Sequence, residues 1–112
     1  MSYIIRQYQA EDEHDVVALW NLCLPRDEIS LNTFRRKVVL DSNFDSRGCY
    51  VAVGKKKIVA FLLSLCRHYP YFDVGMERGL GWITVFFVHP EWRRQGIAAT
   101  MIEKSERFLS QN

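Results

Sequence analysis

The chain has 112 residues, of which 48% are hydrophobic and 13% aromatic, a composition typical of one globular domain and unlike that of a disordered segment. Its formal net charge of +2 is too small to indicate a nucleic-acid-binding protein. No apolar run approaches membrane-spanning length, and the N-terminus lacks a basic segment followed by an apolar signal core. We therefore predict a cytoplasmic protein without a membrane partner.

The N-terminal part of the chain predicts one strand and two helices. Residues 3–7 are typical of a strand, after which Asp12 is positioned to cap a helix with apolar residues on one face. Pro25 ends that helix. Ser30 offers a second N-cap, and the apolar spacing within residues 31–40 predicts a second helix.

Two apolar segments follow and predict a hairpin. They are CYVAV at 49–53 and IVAFLLSLC at 58–66, and the three lysines at 55–57 lie between them. A solvated turn explains this lysine run better than an anion-binding patch does. The segments at 41–48 and 67–79 are rich in polar residues or contain Gly and Pro, and are predicted to be loops.

The three cysteines predict reduced thiols. Cys23, Cys49 and Cys66 are odd in number, lack metal-ligand spacing, and lie in or beside apolar segments. No metal site is expected. A catalytic cysteine is an open alternative, although the sequence places none of the three histidines beside one.

The most informative stretch is a strand, a turn and a helix near the C-terminus. Residues 80–88, LGWITVFFV, are apolar and rich in β-branched and aromatic side chains, which predicts a central strand covered on both faces. Residues 97–109 carry an apolar stripe that includes Ile97, Met101 and Phe108, as expected of an amphipathic helix. The predicted order is β-α-α-β-β-β-α, an α/β architecture.

The turn between this strand and helix has the chemistry of an anion site. The first N–H groups of a helix lack intrahelical partners and carry partial positive charge, yet Arg93 and Arg94 precede this helix where a capping side chain is usual. A phosphate would accept these N–H groups and pair with the arginines, and Gly96 would let the backbone approach it. The alternative is that both arginines are solvated and water caps the helix.

The residues around the turn resemble a known family. Val88, Pro90, Arg93, Gly96 and Ala98 form the pattern V-x-P-x-x-R-x-x-G-x-A, which resembles the acetyl-CoA signature Q/R-x-x-G-x-G/A of the GCN5-related N-acetyltransferases (GNAT). Ala98 takes the position where Gly is commoner in the family. The preceding strand and the following amphipathic helix strengthen the resemblance.

The resemblance implies a mixed α/β sheet and acetyl-CoA as cosubstrate, with acetyl transferred to an amine. It implies that backbone groups of the turn hold the pyrophosphate, namely those of Arg93, Arg94, Gln95, Gly96, Ile97, Ala98, Ala99 and Thr100. It also implies that backbone groups of Phe86, Phe87 and Val88 pair with the pantetheine arm. In the family a bulge splays this strand from its neighbour, and the gap admits the thioester.

The same resemblance implies that residues 1–112 form a single domain lacking the C-terminal strands and helix of the full fold. A strand followed by a helix normally continues into a parallel strand, whereas this chain ends at Asn112, just after the helix. A further segment or a second copy of the chain would complete the sheet. A catalytically incomplete coenzyme-binding or regulatory half-domain is the alternative function, and an interaction module whose arginine turn holds an acidic partner or nucleic acid is a third.

The catalytic residues are not identified by the sequence. In the family the thiolate is protonated by a tyrosine on a helix beyond this chain. Glu77 and Asp73 are the candidate bases in the loop before the strand, and Thr84 within the strand could orient a water. An ordinary surface position is the alternative for the two acids, and a core-facing hydroxyl is the alternative for Thr84.

Aromatic residues near the turn have two interpretations. Tyr69, Tyr71 and Phe72 either line an acceptor pocket or cover the sheet. His89 is expected to shape the turn, and Trp92 either packs on the coenzyme or anchors the turn to the core. The acceptor, a small-molecule or peptide amine, is not specified by any of these residues.

Overall fold

The computed structural model describes residues 2–66 and 81–111. The described strands are β1 (Ile4–Gln7), β2 (Cys49–Gly54), β3 (Lys57–Cys66) and β4 (Gly81–Val88). The α-helices are α1 (Glu13–Cys23), α2 (Leu31–Phe34) and α3 (Ile97–Gln111), and a π-helical turn (Arg35–Val39) continues α2. The predicted order β-α-α-β-β-β-α is confirmed.

The four described strands form one antiparallel sheet in the order β1-β2-β3-β4. The parallel pairing of the expected mixed sheet is therefore not among the described strands. Among the described strands β4 has β3 as its only neighbour, so its predicted central position is wrong for this part of the chain, whereas the predicted covering of both faces is confirmed by Phe87 and Val88, which lie in two separate apolar clusters. Ile83 and Thr84 of β4 are exposed, whereas β3 lies between two strands and is buried from Val59 to Cys66.

Helices cover both faces of the sheet. Successive side chains of a strand point to opposite faces, and here both faces carry apolar residues that the helices bury. On one face, Val16 and Leu19 of α1 and Phe34 of α2 pack against Phe61 and Phe87. On the other face, the apolar stripe of α3 packs against the sheet. Its buried members include Ile97 and Met101, which lie in one cluster with Leu62, Val88 and Trp92.

The start of α1 differs from the prediction for Asp12. Its side chain does not cap α1. It instead accepts hydrogen bonds of 2.7 and 2.8 Å from the Arg6 guanidinium and one of 2.9 Å from the Gln9 N–H. Asp12 therefore ties β1 to the start of α1. The predicted N-cap at Ser30 is confirmed, since its hydroxyl accepts the Thr33 N–H.

The β2–β3 hairpin has the predicted lysine turn. Lys55 and Lys56 have φ angles of 51° and 64°, the left-handed values that a tight two-residue hairpin of type I′ requires. Lys55, Lys56 and Lys57 are all exposed, so the turn is solvated as predicted.

The cysteines are free thiols, as predicted. Cys49 and Cys66 are buried and Cys23 is half-buried. Within residues 2–66 and 81–111, no helix is long and apolar enough to cross a membrane. The same residues contain no cluster of His, Cys, Asp and Glu that could hold a metal ion.

Candidate active site

The turn that follows β4 is held rigidly from two sides. A short 3-10 helix (Pro90–Trp92) comes first, and the His89 Nδ1 atom caps it by accepting the Glu91 N–H at 3.0 Å. The Trp92 indole is buried, with 6% of its surface exposed, and it packs so closely on Gly54 that a Cβ there would lie 2.4 Å from it. His89 therefore shapes the turn, and Trp92 anchors it to the core.

The turn itself needs two left-handed residues. Arg94 has φ of 65° and Gly96 has φ of 82°. A Cβ on Gly96 would meet only the Tyr3 hydroxyl, at an ordinary 3.6 Å. Glycine is therefore favoured here by the backbone conformation rather than by crowding among the described residues.

The N-terminus of α3 presents backbone donors. The N–H groups of Ile97, Ala98 and Ala99 have no acceptor among the described residues, and Gly96 has no side chain to cap them. Thr100 differs, because its N–H donates to the Gly96 carbonyl at 3.2 Å. Three consecutive free donors at the positive end of a 15-residue helix suit the oxygens of a diphosphate.

The two arginines have different roles in the structure. Arg93 donates from Nε to the Val88 carbonyl oxygen at 3.1 Å, and the Cys23 thiol lies 3.6 Å from the same oxygen. Arg94 is exposed, and no described carboxylate pairs with it. Of the two guanidinium groups, that of Arg94 is therefore the freer to meet an anion.

Cys23 is a donor here rather than a nucleophile. Burial raises the pKa of its thiol, and the nearby Arg93 opposes that rise only in part. The group therefore stays protonated at neutral pH, a poor state for nucleophilic attack.

The outer edge of β4 offers backbone groups at alternate residues. The His89 N–H donates to the Val59 carbonyl at 2.8 Å, so the backbone N–H and C=O groups of His89 face β3. By the alternation of an antiparallel pair, Phe87 also faces β3, whereas the N–H and C=O groups of Phe86 and Val88 face outward. The Val88 carbonyl already accepts Arg93.

A bulge interrupts β4 at Thr84. Leu63 pairs with Val85 and Ser64 pairs with Ile83, which leaves Thr84 as the extra residue. Thr84 is exposed, so the interpretation of its hydroxyl as core-facing is wrong. The bulged Thr84 lines a cleft.

The cleft measures about 900 Å³ and lies between β4 and the segment that joins α1 to α2. Its floor is apolar and includes Leu63 and Leu65. Charged side chains line it, namely Arg26, Asp27, Glu28, Lys37 and Asp41. The three carboxylates exceed the two cations by one, a small balance of charge that favours a cationic group over an anionic one.

The α1–α2 connection was missed as a site element by the sequence reasoning. Asn21 fixes it through two hydrogen bonds with the backbone of Ile29, at 2.7 and 3.1 Å, and the Trp20 Nε1 donates to the Asp27 carbonyl at 2.8 Å. No sequence pattern signals these contacts, because they join a helix to an irregular segment. The predicted candidates Glu77 and Asp73, and the aromatic residues Tyr69, Tyr71 and Phe72, lie outside the described residues.

The bulged strand β4, the turn with left-handed Gly96 and the N-terminus of α3 follow one another in the chain, and a cleft lies beside β4. Together they define an α/β protein suited to a phosphate-bearing coenzyme. The chain belongs to the acetyltransferase (GNAT) family, whose model matches residues 6–112.

Solved structures agree with this assignment. The aminoglycoside antibiotic 6'-N-acetyltransferase AAC(6')-Ih from Acinetobacter baumannii is 22% identical with a TM-score of 0.71, over 98% of this chain and 73% of that one. The ribosomal-protein-S18-alanine N-acetyltransferase from Escherichia coli is 14% identical with a TM-score of 0.71, over 98% of this chain and 61% of that one.

A third structure contains a coenzyme A derivative. It is AAC(6')-Iy in complex with the bisubstrate analog CoA-S-monomethyl-acetylneamine, 16% identical with a TM-score of 0.73, over 99% of this chain and 74% of that one. At these identities the likeness establishes the fold alone. Comparison with curated protein sequences returns no significant match.

Proposed function

We propose that this chain is an acetyl-CoA-dependent N-acetyltransferase domain that acts on an amine. One observation carries the proposal: the bulge at Thr84, the outward edge of β4 and the free N–H groups of α3 follow one another along residues 84–99 of a chain of the GNAT family. A cytoplasmic location belongs to the same proposal.

The turn would hold the pyrophosphate of the coenzyme. The donors are the backbone N–H groups from Gly96 to Ala99, with the exposed guanidinium of Arg94 as counter-charge. Three hydrogen bonds support the turn: Arg93 donates to the Val88 carbonyl, Thr100 donates to the Gly96 carbonyl, and the Gln95 carbonyl accepts the Tyr3 hydroxyl. When bound, acetyl-CoA supplies an acetyl thioester.

The edge of β4 would bind the pantetheine arm through the outward groups of Phe86 and Val88. Phe87 supports that edge with its ring, whose centroid lies 5.6 Å from that of Phe61 and 5.7 Å from that of Trp20. Backbone pairing of this kind fixes the coenzyme without using the side chains that contact the acceptor.

The cleft would take the acceptor. An ammonium acceptor must lose a proton before its nitrogen can attack the thioester, and a carboxylate is suited to remove it. We keep Glu77 and Asp73 as candidate bases and place Thr84 as a group that orients the amine or a water. The names of the similar structures indicate an aminoglycoside and a protein alanine as acceptors of those proteins, and both classes belong in an acceptor panel.

A second candidate is a coenzyme-binding half-domain without turnover. It is favoured by the sheet edge at β4, which has a neighbour on one side only among the described strands. We propose that residues 1–112 are one domain whose sheet is completed by a further segment or a second copy. Binding without product, persisting when a natural downstream segment is present, would select this candidate.

The proposed pyrophosphate site is tested by placing a negative charge at Gly96. Gly96→Asp and Gly96→Asn introduce side chains of nearly equal shape that both tolerate a left-handed φ, so they differ chiefly in charge. We expect calorimetry to show coenzyme A binding to the wild type, weaker binding to Gly96→Asn, and at least about a further tenfold loss for Gly96→Asp, since a negative charge repels the pyrophosphate.

Equal affinity of the two variants would contradict the pyrophosphate assignment. Turnover is measured separately, as free coenzyme A released from acetyl-CoA with each amine of the panel. Melting temperatures of both variants without ligand show whether the fold survives the substitution.

A further inference from the structure

The turn makes one contact with a distant part of the chain. The Tyr3 hydroxyl donates to the Gln95 carbonyl oxygen at 3.2 Å, and it also lies 3.6 Å from the Cβ position of Gly96. Tyr3 immediately precedes β1, at the opposite edge of the sheet from β4. Its ring packs on the same apolar cluster as Trp92 and Ile97.

This contact determines the orientation of one peptide plane. The Gln95–Gly96 peptide is trans, so its C=O and its N–H point in opposite directions. Because Tyr3 holds the C=O, the Gly96 N–H points away from Tyr3. Gly96 is exposed, and no described group accepts its N–H.

The plane would be free to rotate without that hydrogen bond. Its rotation changes ψ of Gln95 and φ of Gly96, and Gly96, which has a left-handed φ of 82°, moves between backbone regions at little cost. A rotated plane would turn the carbonyl oxygen toward the anion and remove one donor. The plane would then have to rotate back on binding, and the free-energy cost of that ordering would weaken the coenzyme complex.

The geometry points to Tyr3 as a positioning residue for coenzyme binding: its hydroxyl locks the Gln95–Gly96 peptide with the Gly96 N–H facing the pyrophosphate. This inference rests on the proposed function, since the anion is the coenzyme's. The residue just before the first strand thereby contributes to a site that the family signature places wholly between residues 88 and 98.

Tyr3→Phe removes the hydroxyl and keeps the ring. We expect calorimetry to show about a two- to tenfold weaker affinity for coenzyme A, the range that one modest hydrogen bond represents. In turnover assays KM for acetyl-CoA should rise with kcat unchanged, because the lock acts on binding in the ground and transition states alike.

Tyr50→Phe is the matched control. Tyr50 is also half-buried and packs on the same apolar cluster, but its hydroxyl has no described partner and it lies away from the turn, in β2. Its loss should leave affinity and KM unchanged. Unchanged affinity of Tyr3→Phe would overturn the inference.

A readout without ligand separates this inference from the proposed function. Nuclear magnetic resonance should show changed signals for the Gln95 carbonyl carbon and the Gly96 amide in Tyr3→Phe but not in Tyr50→Phe. If the wild type does not bind coenzyme A, the proposed function fails. In that case the two signals alone test whether Tyr3 orients the Gln95–Gly96 peptide. A change of both signals in Tyr3→Phe supports this role, and unchanged signals overturn it.

Discussion

At the scale of single residues, two glycines set how closely an aromatic ring approaches the backbone at the two ends of β2. Trp92 lies on Gly54 and Phe108 lies on Gly48, and in each case a Cβ would come within 2.4 Å of the ring. Such a distance is too short for any side chain, so the ring must move if the glycine is replaced. The first pair holds the turn after β4, whereas the second holds the far end of α3.

We therefore expect alanine substitution to lower stability at both glycines but to weaken coenzyme binding at only one of them. Gly54→Ala and Gly48→Ala should each lower the free energy of unfolding by about 1–3 kcal/mol, the usual cost of overpacking. Gly54→Ala should also weaken coenzyme A binding, because Trp92 anchors the turn. Gly48→Ala should bind normally under conditions in which both variants are folded.

Denaturant unfolding and calorimetry measure the two effects. Equal coenzyme affinity in both variants would show that the position of Trp92 does not control the turn.

At the scale of elements, β1 and α1 are joined by one partly buried ion pair. Asp12 has 6% of its surface exposed and accepts three hydrogen bonds from Arg6 and Gln9. Burial alone would raise its pKa, but the hydrogen bonds from Arg6 and the Gln9 N–H outweigh burial, and the pKa of Asp12 is lowered. The contribution of this group to stability is therefore complete above its ordinary pKa and is lost as the pH falls through its folded-state pKa.

Asp12→Asn should reveal this pH dependence. We expect the variant to be about 1–3 kcal/mol less stable than the wild type near neutral pH, because a charged acceptor is lost from a buried position. The difference should begin to shrink below about pH 4, where the carboxyl becomes protonated in the unfolded chain, and should shrink further as the pH falls through the lowered folded-state pKa.

Glu103→Gln is the control, because Glu103 pairs with Arg107 on the exposed side of α3 and such pairs contribute less than about 1 kcal/mol. Urea unfolding across the pH range compares the variants. A gap between Asp12→Asn and the wild type that does not narrow in acid would exclude the ionised carboxylate as its cause.

At the scale of the whole molecule, the described sheet has two edges of different character. β1 forms one edge and carries Ile4, which is 62% exposed, and β4 forms the other and carries Ile83, which is 36% exposed. β4 is longer, at 8 residues against 4, and a long edge strand with exposed apolar side chains favours pairing with another chain.

We therefore expect the 112-residue chain to self-associate through β4 at high concentration. Ile83→Lys should reduce the association, because a charged side chain on an edge strand opposes edge-to-edge pairing, whereas Ile4→Lys should not. Light scattering after size exclusion gives the mass of each variant. A monomeric wild type, or an effect of Ile4→Lys alone, would contradict pairing through β4.

The sequence by itself determined the order of elements, the N-cap at Ser30, the lysine hairpin turn and the family. Each of these depends on neighbours in the chain: apolar periodicity, a capping hydroxyl, a short turn and a local signature from Val88 to Ala98. Local patterns of this kind follow from backbone geometry and can be recognised without any knowledge of the fold.

Only the tertiary structure decided the edge position of β4, the outward Thr84 at its bulge, the α1–α2 wall of the cleft and the contact of Tyr3 with Gln95. It also assigned Asp12 to Arg6 rather than to the end of α1. These features join residues through pairing register and packing across the sheet, and such pairings leave no periodic trace in the sequence. The physical reason is that a strand's neighbours and a side chain's partners are selected by the whole fold, not by the segment that contains them.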